Sequence, residues 1–249
     1  PVGKKVGLGL SIVNDKVFVS SETHVYADFS YSIDLTEAST LAFGLKAGGS
    51  FLNVDLLKLG IENDPLFSEN LNEFNPNIGA GAFYYTDRFY ASISTVNILQ
   101  TTHYDKNSTV VSNASKEMIF YLSSGYVFNI SDAFKLRPSF MLRGVNGAPL
   151  STDISTSILW LDKIEFGIAY RIDTSISGLF QLRVTDNLKV GYTYDASTSE
   201  LSNYNNGSHE FSVILNMGKS SNKRKAPFFW MKKKNSEEIL KIKNEDSEN

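Results

Sequence analysis

Residues 134–143 read FKLRPSFMLR and residues 164–172 read IEFGIAYRI. In both stretches apolar side chains dominate the even positions, whereas the odd positions carry mostly charges, Gly, Ala or Ser. A period of two predicts β-strands that have one apolar and one polar face. The same alternation divides the chain, from about residue 3 to residue 217, into roughly twelve segments of strand length. The sequence therefore predicts an all-β domain.

Two kinds of β protein produce this alternation. A soluble sandwich or a lipocalin-like barrel turns its apolar face inward, whereas a membrane barrel turns that face to lipid and lines a wet lumen with the polar face. Several segments reach the length of about ten residues that a tilted strand needs to cross a bilayer. Aromatic residues also recur near the predicted strand ends, as in an interfacial belt: Tyr84, Tyr85, Phe89, Tyr90, Phe134, Trp160, Tyr170 and Tyr194. These features favour the membrane barrel.

The predicted connections alternate between short and long. Tight turns rich in Asp, Asn and Thr are predicted at Thr36–Ser39, Thr86–Arg88, Ser131–Ala133, Leu161–Lys163 and Thr185–Asn187. Longer loops are predicted between them, near Asn14–Thr23, Asp55–Asn75, Asn97–Ser115 and Ala196–Gly207. We therefore expect a transmembrane antiparallel outer-membrane β-barrel with short periplasmic turns and longer extracellular loops.

Composition excludes several other classes. The chain has no run of about twenty apolar residues, so helical membrane spans are not expected. It has no cysteine, which removes disulfides and thiolate metal sites. A net charge of −3 over 249 residues gives no electrostatic reason to expect nucleic acid as a partner.

The alternation stops after Met217. We expect residues 1–217 to form the barrel and residues 218–249 to form a charged tail, which lies in the periplasm if the number of strands is even. An aromatic patch at Phe228, Phe229 and Trp230 is a candidate contact for a periplasmic partner. A solvated, disordered tail is the simpler expectation from the composition of this segment.

Four motifs follow one another in the second half of the chain. They are KLRPSF at residues 135–140, GAPLSTD at residues 147–153, GYTYD at residues 191–195 and LSNYNNGSHE at residues 201–210. These motifs resemble the PorP/SprF family of type IX secretion system membrane proteins, and the resemblance continues in order from Lys4 to Met217. It implies an outer-membrane β-barrel of Bacteroidota that serves protein secretion by the type IX system and, in gliding species, the export of cell-surface adhesins.

The first predicted strand begins almost at once, with Val6, Leu8 and Leu10. No secretory signal is visible before it in the sequence as given. The resemblance implies a signal peptide and one further pair of strands upstream. We therefore expect about twelve strands in this chain, about fourteen in the intact protein, and an unclosed edge where the further pair belongs.

Catalytic interpretations find no support in the motifs. The histidines are His24, His103 and His209, and none has a second His, Cys or carboxylate at ligand spacing. There is no Gly-x-Ser-x-Gly elbow and no phosphate loop. We predict a non-enzymatic protein without cofactor or metal, in which the histidines are solvated or lie at the barrel rim.

Charges on the predicted lumenal face form a candidate ladder. A hairpin centred near Ala148 sets Arg143 opposite Asp153, and the tight turn at Leu161–Lys163 sets Asp153 opposite Arg171. One carboxylate between two guanidinium groups would join neighbouring strands. A structural role is favoured over cargo binding or gating, because barrel interiors commonly satisfy their charges in this way.

The predicted function is to support export or surface anchoring of a partner such as an adhesin. The expected partners are outer-membrane lipid, the secreted surface protein and other type IX components. Apolar residues in the predicted loop Asp55–Asn75, including Leu66, Phe67 and Phe74, suit a protein contact. The alternative is a porin-like diffusion channel, and a barrel enzyme is a third class without a catalytic constellation.

Overall fold

The computed structural model describes residues 5–61, 69–99, 117–199 and 206–217. The strands within these ranges are β1 (Val6–Val17), β2 (Ser20–Asp34), β3 (Ser39–Val54), β4 (Leu71–Thr86), β5 (Phe89–Val96), β6 (Ile119–Tyr126), β7 (Phe128–Asn129), β8 (Phe134–Val145), β9 (Ser151–Trp160), β10 (Ile164–Arg171), β11 (Ser175–Arg183), β12 (Leu188–Ser197) and β13 (Ser208–Leu215). A short 3-10 turn, Leu56–Leu59, follows β3. No helix in these ranges has the length and apolar character needed to cross a membrane.

All strands belong to one antiparallel sheet. Each strand pairs with the next along the chain, except that β6 pairs with β8, and the two-residue β7 adds to β8 only. The outermost strands, β1 and β13, each pair on one side within the described residues. This up-and-down order is the connectivity of a membrane β-barrel wall.

The apolar residues of neighbouring strands line up on one face of the sheet. Leu8 lies opposite Phe29, and Phe29 lies opposite Leu45; their exposed fractions are 61%, 44% and 61%. In the described part of the chain, Val127 is the only apolar side chain that is buried. A soluble sandwich would bury this face, so the exposed apolar face identifies the membrane barrel and excludes the soluble alternative.

The tight turns lie where the sequence predicts them. Leu161 and Asp162 have φ angles of 52° and 55°, and the Lys163 amide donates to the Trp160 carbonyl at 2.9 Å. Two central residues with positive φ are typical of a type I′ hairpin turn, whose twist matches that of the flanking strands.

The prediction of a long loop at Asn14–Thr23 was wrong. Strands β1 and β2 continue through this segment and meet in a tight turn at Phe18, whose φ is 53°. The Asn14 amide donates to the Thr23 hydroxyl at 2.7 Å across the hairpin. The polar side chains that suggested a loop therefore form hydrogen bonds with one another across the two paired strands.

Candidate functional site

The polar face of the sheet divides into two regions. Across β1–β6 it is rich in residues with small side chains: Gly7, Gly9, Ser11, Ser30, Gly44, Gly48, Gly79, Gly81, Ser92, Ser94, Ser123 and Gly125. Across β8–β12 it carries most of the charges: Lys135, Arg137, Arg143, Asp153, Glu165, Arg171, Arg183, Lys189 and Asp195. The second region is the candidate site because its charges can bind ions or polar ligands.

Asp153 and Arg171 form a cross-strand pair near the long-loop end of β9 and β10. They lie directly opposite each other. Arg171 Nε donates to Asp153 Oδ1 at 2.8 Å, and Nη2 donates to Oδ2 at 3.0 Å. This is the bidentate geometry in which a guanidinium group binds a carboxylate most specifically.

Arg143 does not lie opposite Asp153. The register places Arg143 opposite Ser151 and Asp153 opposite Met141, so the hairpin is centred on residue 147 rather than on Ala148. Gly147 has a φ of 77°. A shift of one residue at the centre of a hairpin moves every partner by two positions. Gly147 is the sequence signal for this centre, because glycine adopts a positive φ at little steric cost.

A second ion pair links β8 to β10 near the short turns. The Arg137 guanidinium contacts the Glu165 carboxylate and also donates from Nε to Ser157 Oγ at 3.1 Å. Glu165 and Ser157 are each only 7% exposed. This pair was not predicted from the sequence, because strand β9 lies between the two partners and the tilt of the strands brings them together.

An ion pair also occurs among the small residues of the first region. Lys46 lies opposite Asp28, with Nζ 3.0 Å from Oδ1. The same ammonium group donates to Ser11 Oγ at 3.3 Å and lies 5.0 Å from the centre of the Tyr26 ring. Positive charge on this side of the sheet is thus matched locally by a carboxylate and an aromatic face.

Phe74 is a strand residue rather than a loop residue, contrary to the sequence prediction. It lies in β4, directly opposite Phe51 on the apolar face, and the two ring centres are 4.8 Å apart. Polar neighbours such as Asn72 and Asn75 gave this segment the composition of a loop. Leu66 and Phe67 lie outside the described residues.

The tail residues Phe228, Phe229 and Trp230 also lie outside the described residues, as does His103. The other two histidines are placed. His24 lies 3.8 Å from the Glu22 carboxylate, and His209 lies at the start of β13, where its Nδ1 is 2.7 Å from the Tyr192 hydroxyl. Within the described ranges, no group of three or more His, Asp or Glu residues is arranged to hold a metal ion.

Aromatic residues cluster on the apolar face next to the short turns. Phe134 and Trp160 stack with ring centres 6.4 Å apart, and the rings of Tyr84 and Phe89 lie 6.3 Å apart. Such pairs form the girdle of a barrel at the level of the lipid headgroups. Tyr85 and Tyr90, also predicted for this belt, instead lie opposite each other on the polar face.

Comparison with known proteins gives one strong match. A sequence model of the family described as Type IX secretion system membrane protein PorP/SprF matches residues 1–215. Among curated proteins, none matches the chain significantly. Among solved structures, the chain is similar to one named CymD monoaromatic hydrocarbon channel, with 13% sequence identity and a TM-score of 0.46, over 85% of this chain and 78% of that chain.

Proposed function

Because the chain belongs to the PorP/SprF family of type IX secretion system membrane proteins, we propose that it is a non-enzymatic outer-membrane component of that system. It supports the export or the surface anchoring of a partner protein such as an adhesin. The observation that carries this proposal is the family match over residues 1–215, which spans every described strand.

The membrane setting is supported by the outward apolar face. Leu10 and Ile12 of β1 are 71% and 65% exposed, and Ile168 of β10 is 55% exposed. Burying such a face in lipid gains about 25 cal/mol per Å² of apolar area. A β-sheet satisfies its backbone groups in lipid only as a closed barrel, and barrels of this kind belong to outer membranes.

The proposed orientation places the short turns in the periplasm and the long connections outside the cell. Strand β13 ends on the short-turn side, where the Asn216 amide donates to the Asn187 carbonyl at 2.8 Å. The chain therefore leaves the sheet on the periplasmic side. In this proposal residues 1–217 are the barrel, and residues 218–249 are a periplasmic tail whose Phe228, Phe229 and Trp230 contact other type IX components.

The partner protein would contact the long connection between β3 and β4. Leu66 and Phe67 supply apolar side chains there, and apolar or aromatic residues are typical of the centre of a protein interface. The long, 16-residue strands β3 and β4 carry this connection. Since about ten residues suffice to cross the bilayer, both strands extend beyond it and raise the connection above the membrane.

Deletion of the gene in its host tests the proposal. We expect one or a few large surface proteins to accumulate inside the cell or in the periplasm, while uptake of small solutes continues. A porin-like channel predicts the opposite result, namely normal surface proteins and reduced solute permeability. Steady open conductance of the purified protein in planar bilayers, together with normal secretion in the deletion strain, would overturn the proposal.

Complementation with loop variants locates the contact. The double variant Leu66→Ser/Phe67→Ser should reproduce the secretion defect while the amount of folded barrel stays normal. Phe74→Ser is the matched control, because Phe74 packs against Phe51 within the strands and its loss should affect barrel assembly instead. Normal secretion in the double variant would place the contact elsewhere on the protein.

A further inference from the structure

One cross-strand pair on the polar face combines like charges. Arg183 of β11 lies directly opposite Lys189 of β12. Like charges at opposite positions destabilise a sheet. In the Asp28–Lys46 and Asp153–Arg171 pairs a carboxylate lies opposite the cation. Arg183 and Lys189 have no carboxylate opposite them in their pair, so we infer that their counter-charge comes from another group.

Lys189 is buried in the polar face of the sheet. It is only 7% exposed. Within the described part of the chain, its ammonium group forms no hydrogen bond and no ion pair. A charge that is largely removed from water without a counter-charge is costly. The position therefore favours an anion that approaches from the lumen.

The charges around Lys189 leave a positive excess. The charged groups that act on it are Arg183, Glu165 and Arg137. Together with Lys189 itself, these groups comprise three cations and one carboxylate, which gives a net charge of +2. The carboxylate of Glu165 is already bound by Arg137. The cluster therefore lacks two negative charges.

Polar side-chain groups surround Gly191, the next residue after Lys189 on the polar face of β12. Gly191 itself carries no side chain there. Ser212 Oγ and Gln181 Nε2 border the position that a side chain of Gly191 would occupy. A hydroxyl and an amide can both donate hydrogen bonds to the oxygens of an anion.

We propose that Arg137, Arg183 and Lys189 form a lumenal binding site for a tetrahedral dianion of the phosphate class. A dianion balances the net charge of the cluster, whereas a single carboxylate would leave one positive charge uncompensated. Guanidinium and ammonium groups together offer the charged donors that phosphate oxygens prefer. Lys189 lies beside the Thr185–Leu188 turn, so the ligand enters from the short-turn side of the barrel. The proposal depends on the barrel fold and is independent of the secretion role.

Titration calorimetry with inorganic phosphate tests this site, using protein purified from its host membranes in detergent. The buffer is chloride at constant ionic strength and mildly alkaline pH, where phosphate is dianionic. We expect saturable binding that Lys189→Met and Arg183→Gln each weaken by about tenfold or more, as expected for the loss of a charged hydrogen bond. Lys46→Met, which removes a lumenal lysine that is paired with Asp28, should leave the affinity unchanged.

Three results would overturn the proposal: no saturable phosphate binding by the parent protein, equal affinity for acetate, or an equal loss of affinity in Lys46→Met. Lys189→Glu provides a second test if Lys189→Met does not fold. This variant makes the cluster neutral and sets opposite charges against each other, so it should fold to heat-modifiable barrel and bind no phosphate. Parent-like phosphate binding by Lys189→Glu would also overturn the proposal.

Discussion

Arg171 lies directly opposite Asp153 in the β9–β10 hairpin, and its guanidinium group donates one hydrogen bond to each carboxylate oxygen, at 2.8 and 3.0 Å. The Arg171 side chain is 44% exposed and the Asp153 side chain is 18% exposed. Water therefore screens the pair despite its bidentate geometry. The pair fixes the register of the hairpin more than it adds to stability.

A double-mutant cycle should measure this small coupling. We expect Asp153→Asn and Arg171→Gln to show a coupling energy of about 0.5–1 kcal/mol that falls as salt is raised. The measurement is the free energy of unfolding in urea, for protein folded in detergent micelles. The matched cycle between Asp153→Asn and Arg143→Gln should give a smaller coupling, of less than about 0.5 kcal/mol, since Arg143 is only a diagonal neighbour of Asp153. A coupling to Arg143 that equals or exceeds the coupling to Arg171 would contradict the register.

The two faces of the sheet should respond differently to a new cation. Phe140 and Ile168 are 42% and 55% exposed on the apolar face, and an arginine near the middle of the bilayer costs about 2–4 kcal/mol. Phe140→Arg and Ile168→Arg should therefore reduce the amount of folded barrel recovered from outer membranes. Ser139→Arg and Ala169→Arg, each one residue away on the polar face, should have much smaller effects. Equal losses in the two sets would mean that the faces are assigned wrongly.

The faces could be predicted from sequence because the period of two is a local signal. Each strand repeats it, so an error in one strand does not propagate to the next. The tight turn at Leu161–Lys163 was likewise predicted correctly, and it fixes the pairing of Asp153 with Arg171. Local pattern and turn chemistry together specify most of the neighbouring contacts in an up-and-down sheet.

Other contacts depend on information that a local pattern does not contain. Arg143 received the wrong partner because the centre of its hairpin was misplaced by a single residue. The contact between Arg137 and Glu165 spans an intervening strand and depends on strand tilt. Phe74 was assigned to a loop because Asn72 and Asn75 gave this part of β4 a polar composition.

Gly48 should tolerate no side chain. A Cβ atom at this position would lie 2.1 Å from the Val25 carbonyl oxygen and 2.8 Å from the Tyr26 Cα atom. Gly48→Ala should therefore lower the free energy of unfolding by about 1–3 kcal/mol, as overpacking does elsewhere. Gly178→Ala is the control, because a Cβ there meets nothing within 4 Å and alanine restricts the unfolded chain, which stabilises by up to about 1 kcal/mol. Similar effects of the two substitutions on urea unfolding would contradict the close approach at Gly48.

The pair formed by Arg137 and Glu165 should matter more than the exposed pair of Asp153 and Arg171. Glu165 is 7% exposed, so removal of its guanidinium partner leaves a buried carboxylate without its main counter-charge. Arg137→Met should reduce the free energy of unfolding by about 3 kcal/mol. The double variant Arg137→Met/Glu165→Met should recover much of this loss, because apolar residues of similar volume can replace a buried ion pair without penalty. If Arg137→Met lowers the free energy of unfolding no more than Arg171→Gln does in the same urea titration, then water reaches Glu165 as readily as it reaches Arg171. Burial would then not set the strength of the Arg137–Glu165 pair.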